Sequence, residues 1–312
     1  MTSASLPDPA GWSDAASWLA RARRSGSLRY SDLGARPVLP PEPLEELAVW
    51  LVDAADRWWY QAGRPDPFTL VVDSADDGTL ARRFLQLGPE CLPCLRYVLV
   101  HPDPAPPVMA ALLGLEDPAY LFPVVAPGGE NAGGRGALQG AGGGEDAEVA
   151  TGVGPLVTRV SGLPAVPGSA VVVAVSTLSR LPSDRVDYRD GRWEEVHLTA
   201  TPAGGLVEVN SPLGAESCPL LLEDPTPGRY AVLGGAVTWL REALSSEIEG
   251  LVVVVDDWSA ASSPMEGDEV PPLALDQLAR IRPPARPRPE PVAGPLAVVV
   301  WSINSAGVPW LG

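Results

Sequence analysis

The sequence predicts an α/β protein built on an open, doubly wound sheet. Three observations lead there. Apolar runs rich in valine and leucine recur at residues 68–73, 95–101, 169–175 and 251–256, each of a length suited to a strand buried on both faces. Helical patterns fall between them, at 79–87, 108–113 and 237–249. The first run ends in Asp73, crosses a polar turn and meets a helical pattern near Thr79. That strand-turn-helix order is where such sheets place nucleotide-type ligands.

In chain order, residues 1–64 read as an N-terminal helical segment packed on the core. One helix is expected over 12–24, with Trp18 and Leu19 on one face. A second is expected over 41–61, with Pro41 in its first turn and Leu44, Leu47, Ala48, Leu51 and Ala55 at helical spacing. Trp58, Trp59 and Tyr60 close it and read as packing, because large aromatics dominate core energetics.

Residues 65–260 carry the sheet. Within them, 127–148 is glycine-rich and of low complexity, which reads as a flexible surface insertion. Residues 192–210, RWEEVHLTATPAGGLVEVN, alternate on both sides of a Pro-Ala-Gly-Gly turn, as an inserted antiparallel hairpin does. Residues 261–312 form a proline-rich tail. Its stretch 282–295 reads as an extended linker, and 296–303 as an edge strand returning to the sheet.

With 312 residues the chain can bury a substantial core. All 22 basic residues are arginine, and the net charge is −17. A surface this acidic argues against general nucleic-acid binding and against an anionic membrane partner, since both reward a basic face. The first residues, MTSASLPDPAGWSD, lack the basic and apolar regions of a secretory signal, and no apolar run nears the roughly 20 residues of a spanning helix. A soluble, cytoplasmic protein is the expectation; the oligomeric state is not legible. Three cysteines make no disulfide scaffold.

The stretch FTLVVDSADDGTL, residues 68–80, is the most informative. A nucleotide-type ligand needs close backbone approach and N–H donors at the helix start. This turn offers one glycine, Gly78, beside Asp73, Ser74, Asp76 and Asp77. Its carboxylates would repel a pyrophosphate but not a cationic sulfonium. The bland alternative is a plain βα loop in which Asp76 or Asp77 caps a helix. The second run ends at His101, where these folds present an acid to ribose hydroxyls. A histidine can donate one hydrogen bond there but cannot accept two, and a structural role is the alternative.

Cys91 and Cys94 spell CxxC but precede a strand, whereas a redox pair sits at a helix N-terminus after one. No second pair completes a zinc site, so no metal is expected. Asp256 and Asp257 end the strongest apolar run; they either position a cation or amine, or are solvated residues at a strand end. No nucleophile-elbow, HExxH or P-loop spelling occurs, and no catalytic residue is assigned.

Taken in order, residues 11–258 resemble the MidA-like family of class I S-adenosylmethionine-dependent methyltransferases, which includes the protein-arginine methyltransferases of complex I assembly. VVDSADDGTL matches a strand, V-D, glycine-loop and leucine; LRYVLVHPDPA matches a strand ending V-E-P-S; VVVAVSTLSRLP frames N-E-L-L-D-A-L-P. Residues 190–193 (DGRW) with Glu195 and Val196, the hairpin, and VTWLREALSSEIEGLVVVVDD follow in the family's order.

The resemblance implies a Rossmann-like fold, S-adenosyl-L-methionine as cofactor and a protein side chain as acceptor. It places Asp73, Ser74, Asp77, Gly78 and His101 at the cofactor. The departures fall on the site. The loop keeps one glycine, and His101 replaces the ribose acid. Val175, Ser176 and Ser179 stand at Asn, Glu and Asp, and residues 256–258 (DDW) at Asp-Tyr-Gly. Each buried polar group left unpaired costs about 1–3 kcal/mol. At about 1.4 kcal/mol per decade, cofactor binding weakened by two or more decades is expected. The alternative is a catalytically inactive relative that serves as a protein-binding or assembly partner.

Overall fold

The computed structural model of the chain describes residues 15–33, 44–74, 78–100, 156–160, 162–164, 168–213, 221, 224–245, 248–259, 262, 264–265, 273–285 and 289–303. The expected helix at 108–113 and the insertion at 127–148 lie outside them. The architecture is mixed α/β. Its elements are α1 (Ala15–Ser25), β1 (Leu28–Arg29), α2 (Leu44–Gln61), β2 (Phe68–Ser74), α3 (Thr79–Leu87), β3 (Leu95–Val100), β4 (Leu156–Val160), β5 (Gly168–Val175), β6 (Asp184–Arg189), β7 (Arg192–Ala200), β8 (Leu206–Pro212) and β9 (Gly228–Val232). Then follow α4 (Gly234–Ser245), β10 (Ile248–Asp256), β11 (Trp258–Ser259), β12 (Leu273–Ala274), α5 (Leu275–Ala279), β13 (Glu290–Ala293) and β14 (Leu296–Ile303).

Hydrogen bonding orders seven strands as β13-β14-β10-β5-β2-β3-β4. Strands β2 and β3 are parallel neighbours, from Phe68 opposite Leu95 to Asp73 opposite Val100, and β4 continues the parallel set beyond β3. The chain divides into two compact units. One holds the described residues of Met1–Pro41, Ala174–Ser245 and Val253–Trp301; the other holds those of Glu42–Val173, Ser246–Val252 and Ser302–Gly312. Helix α1 thus belongs to the first unit and α2 to the second.

In the second unit, α2 buries Leu47, Ala48, Leu51 and Ala55 of the expected stripe together with Ala54 and Trp58, while Leu44 is half-buried. Helix α3 buries Leu80, Ala81, Phe84 and Leu85, with the Phe84 ring 5.4 Å from that of Tyr97 on β3. Of the aromatic trio only Trp58 is core. Tyr60 is 44% exposed, and the Arg64 guanidinium lies 4.4 Å over its ring. Gly250 on β10 marks a tight strand approach, because a Cβ there would fall 1.8 Å from the Ala170 carbonyl oxygen on β5.

In the first unit the hairpin β7–β8 proves to be part of a five-stranded antiparallel sheet, ordered β1-β7-β6-β9 with β8 on the other side of β7. Strands β6 and β9 escape a hydropathy reading because one face of β6 is ionic, with Arg185, Asp187 and Arg189 alternating along it, and the short β9 sets Arg229 opposite Asp187. Two boundaries differ from expectation. Helix α4 spans Gly234–Ser245, and Ile248 and Glu249, expected as helix, already belong to β10. Strand β14 is not at the edge; it lies between β10 and β13, with Val298, Val299, Trp301 and Ile303 buried. The edge falls to β13, where Pro291 cannot donate a ladder hydrogen bond and an outer strand tolerates it. No helix among the described residues is long and apolar enough to cross a membrane.

Candidate functional site

In the second unit, β2 carries its chain to a half-buried Asp73 and a buried Ser74, and α3 opens at Gly78. Gly78 caps the helix in the left-handed region, φ 91°, and brings no side chain to cap the first N–H groups. Only glycine turns this way at little cost, so the one glycine kept in the turn is the one whose backbone requires it. No acidic side chain stands in the first turn of α3. A helix N-terminus is the kind of place that suits a ligand carboxylate, and a strand-end carboxylate such as Asp73 suits a cationic group. Asp77 and His101, the other expected cofactor residues, lie outside the described residues; β3 is described only to Val100, its partner Asp73 opposite.

In the first unit, the turn after β5 holds the positions where Asn, Glu and Asp were expected. Val175 is buried at the strand end, and Ser176 adopts φ 49°, uncommon for a residue with a side chain. Its N–H donates to Val255 O at 2.8 Å, and the Thr177 hydroxyl donates to Val175 O at 3.2 Å. A 3₁₀ turn follows at Leu178–Arg180. The Ser179 N–H donates to Asp256 Oδ2 at 3.2 Å, while the Asp257 N–H donates to Asp256 Oδ1 at 2.9 Å.

Asp256 and Asp257 were open between a ligand role and solvated strand-end acids; the two residues part company. Asp257 is exposed, whereas Asp256 is 2% exposed. Burial pushes the Asp256 carboxyl up to about 6, against the hydrogen bonds from Ser179 and the Asp257 N–H; the Asp257 charge adds to the rise. Sequence reasoning missed this partnership. The only available signal was the unbroken apolar run 251–255 leading into the acid.

The CxxC pair is structural. Cys91 is buried, its N–H donates to Asp56 on α2, and the Cys94 thiol donates to the Cys91 carbonyl at 3.1 Å. Burial raises both thiols, and nearby Asp56 raises Cys91 further, so neither is a ready thiolate. Among the described residues, no group of three or more His, Cys, Asp and Glu side chains could hold a metal ion.

No protein-family model matches the chain, and no curated protein does. Solved structures do. A COG1565 superfamily protein of uncharacterised function from Burkholderia thailandensis superposes with a TM-score of 0.51 at 19% identity, over 81% of this chain and 63% of that one. A COG1565 superfamily member from the same organism, inferred to be a methyl transferase and bound to S-adenosyl-homocysteine, gives 0.52 at 18% identity, over 81% and 65%. At these identities the likeness speaks for a shared fold. The chain spans less than two thirds of the length of either protein.

Proposed function

We propose that this chain is a divergent MidA-like protein with the Rossmann-like sheet of class I methyltransferases, and that its hold on S-adenosyl-L-methionine is weakened. The strand order carries the reading. With the strands of the antiparallel sheet set aside, β4-β3-β2-β5-β10 runs as 3-2-1-4-5, the doubly wound order, and the antiparallel pair β13–β14 completes it. The structural neighbour that holds S-adenosyl-homocysteine supports the same ligand class.

The residues fit such a ligand in part. Asp73 would face its cationic end, and the start of α3 at Gly78 its carboxylate, with Ser74 between; Asp77 and His101 complete the proposed set. The bound cofactor would supply an activated methyl group, and this chain's residues would orient the acceptor, for which a protein side chain is the proposed class. A turn with one glycine in residues 73–78 admits a ligand backbone less closely than a glycine-rich one, which supports weakened affinity. A cytoplasmic location goes with this reading.

Isothermal titration with S-adenosyl-homocysteine tests it. The expected outcome is a dissociation constant between about 10 μM and 1 mM, or about −7 to −4 kcal/mol, that Asp73→Ala weakens at least tenfold. Heat absent at millimolar ligand would remove the cofactor from the reading and leave the non-catalytic assembly partner.

A further inference from the structure

Two groups on β10 fix the turn after β5. The Val255 carbonyl takes the N–H of Ser176, at the strained φ of 49°, and the Asp256 carboxylate takes the N–H of Ser179. The far end of the turn is fixed by α4, where the Gly235 N–H donates to the Pro182 carbonyl at 2.9 Å. A Cβ at Gly235 would lie 2.7 Å from that same oxygen, so this clamp is tight and has no titratable part. Of these three contacts, the one to Asp256 involves a group that can change its charge.

We propose that Asp256 is a positioning residue whose ionised carboxylate sets the conformation of the Ser176–Ser179 turn, and that its protonation loosens that turn. Both carboxylate oxygens are engaged by N–H donors, Oδ2 by Ser179 and Oδ1 by Asp257. Protonating either oxygen turns a charge-assisted acceptor into a weaker neutral one and introduces an O–H beside existing donors. The charged groups that bear on it are few. Burial acts most strongly against the charge and the Asp257 carboxylate repels it, while the Ser179 side chain and the Ser179 and Asp257 N–H groups favour it. With the group pushed to about 6, the change falls within reach of mildly acid conditions. The turn stands at the carboxyl end of β5, a place where open sheets meet ligands, so any effect on ligand binding rests on the proposed function, while the motion of the turn does not.

Amide NMR on the intact chain decides it. In the wild type, the Ser179 and Asp257 amide shifts should move together between pH 4.5 and 8 with a midpoint near 6. Ser179 exchange, corrected for its intrinsic pH dependence, should rise about tenfold on protonation, the difference between a charge-assisted and a neutral bond. Asp256→Asn, which keeps the shape, should abolish the transition. Asp257→Asn should keep it and lower its midpoint, and this arm decides if Asp256→Asn does not fold. A Ser179 amide that is flat across this range, or a transition that survives in Asp256→Asn, overturns the proposal. Failure of S-adenosyl-homocysteine to bind would not touch these readouts.

Discussion

At Gly78 the backbone takes φ 91°, a conformation that costs a residue bearing a side chain about 1–2 kcal/mol. Gly250 faces a different constraint. Its backbone is ordinary strand, but an added Cβ would sit 1.8 Å from a main-chain oxygen of the neighbouring strand, and that oxygen can move only if β5 moves. Gly78→Ala should therefore lower the unfolding free energy by about 1–2 kcal/mol. Gly250→Ala should cost about 3 kcal/mol or more, the upper end of overpacking. Denaturant titration of both variants checks the ranking, and the reverse order would mean that β5 and β10 are less closely apposed than the structure has them. Only the Gly78 requirement could be read from sequence, because the chemistry of a turn is local and strand apposition is not.

The polar face of the antiparallel sheet is an element-scale device. Asp187 on β6 is buried and accepts from Arg229 on β9 at 2.8 Å and from Asn210 on β8 at 3.0 Å, while Arg189 pairs with it at 2.9 Å. Burial works against its charge, but the hydrogen bonds from Arg229 and Asn210 outweigh it and hold the carboxyl below the usual 3.8. Residues 29–31 tie the N-terminal segment to three strands. Arg29 pairs with Glu195 on β7, the Tyr30 hydroxyl donates to Glu208 on β8, and the Ser31 N–H donates to Asp184 on β6.

Removing Arg229 strands the buried Asp187 charge, so Arg229→Ala should cost about 3–5 kcal/mol. Asp187→Ala with Arg229→Ala should cost clearly less than the sum of the two, and additivity in a double-mutant cycle would show the pair to be idle. This network also explains what the sequence hid. The strands with apolar runs, β2, β3, β5 and β10, and the helix stripes of α2 and α3 were legible because burial imposes a period. Strands β6 and β9 bury charges in pairs, and a pairing partner 42 residues away leaves no local pattern. At the site, Asp73, Ser74 and Gly78 stood out through their turn. The hold of Asp256 on Ser179 spans 77 residues and did not.

For the whole chain, pH sums these effects with opposite signs. A net charge of −17 repels itself in the compact state, and acidification from neutral pH relieves it. Asp256 acts in the same sense. Its folded value, about 6, lies above the unfolded 3.8, so its contribution is fully present below 3.8 and is lost as pH rises through 6. Asp187 acts oppositely. Its folded value lies below 3.8, so its contribution is present above 3.8 and disappears as pH falls through the lowered value. Stability should thus rise as pH falls from 7.5 to about 4.5 and decline at more acid pH, as Asp187 protonates and releases Arg229. The Asp256 share of the rise is about 2 kcal/mol at about 1.4 kcal/mol per unit of pH. Urea unfolding of the wild type and of Asp256→Asn across this range isolates it: the two curves should diverge by that amount, with the variant flatter. Parallel curves would place the Asp256 carboxyl in water, where its charge would cost nothing, and would refute the burial that raises it.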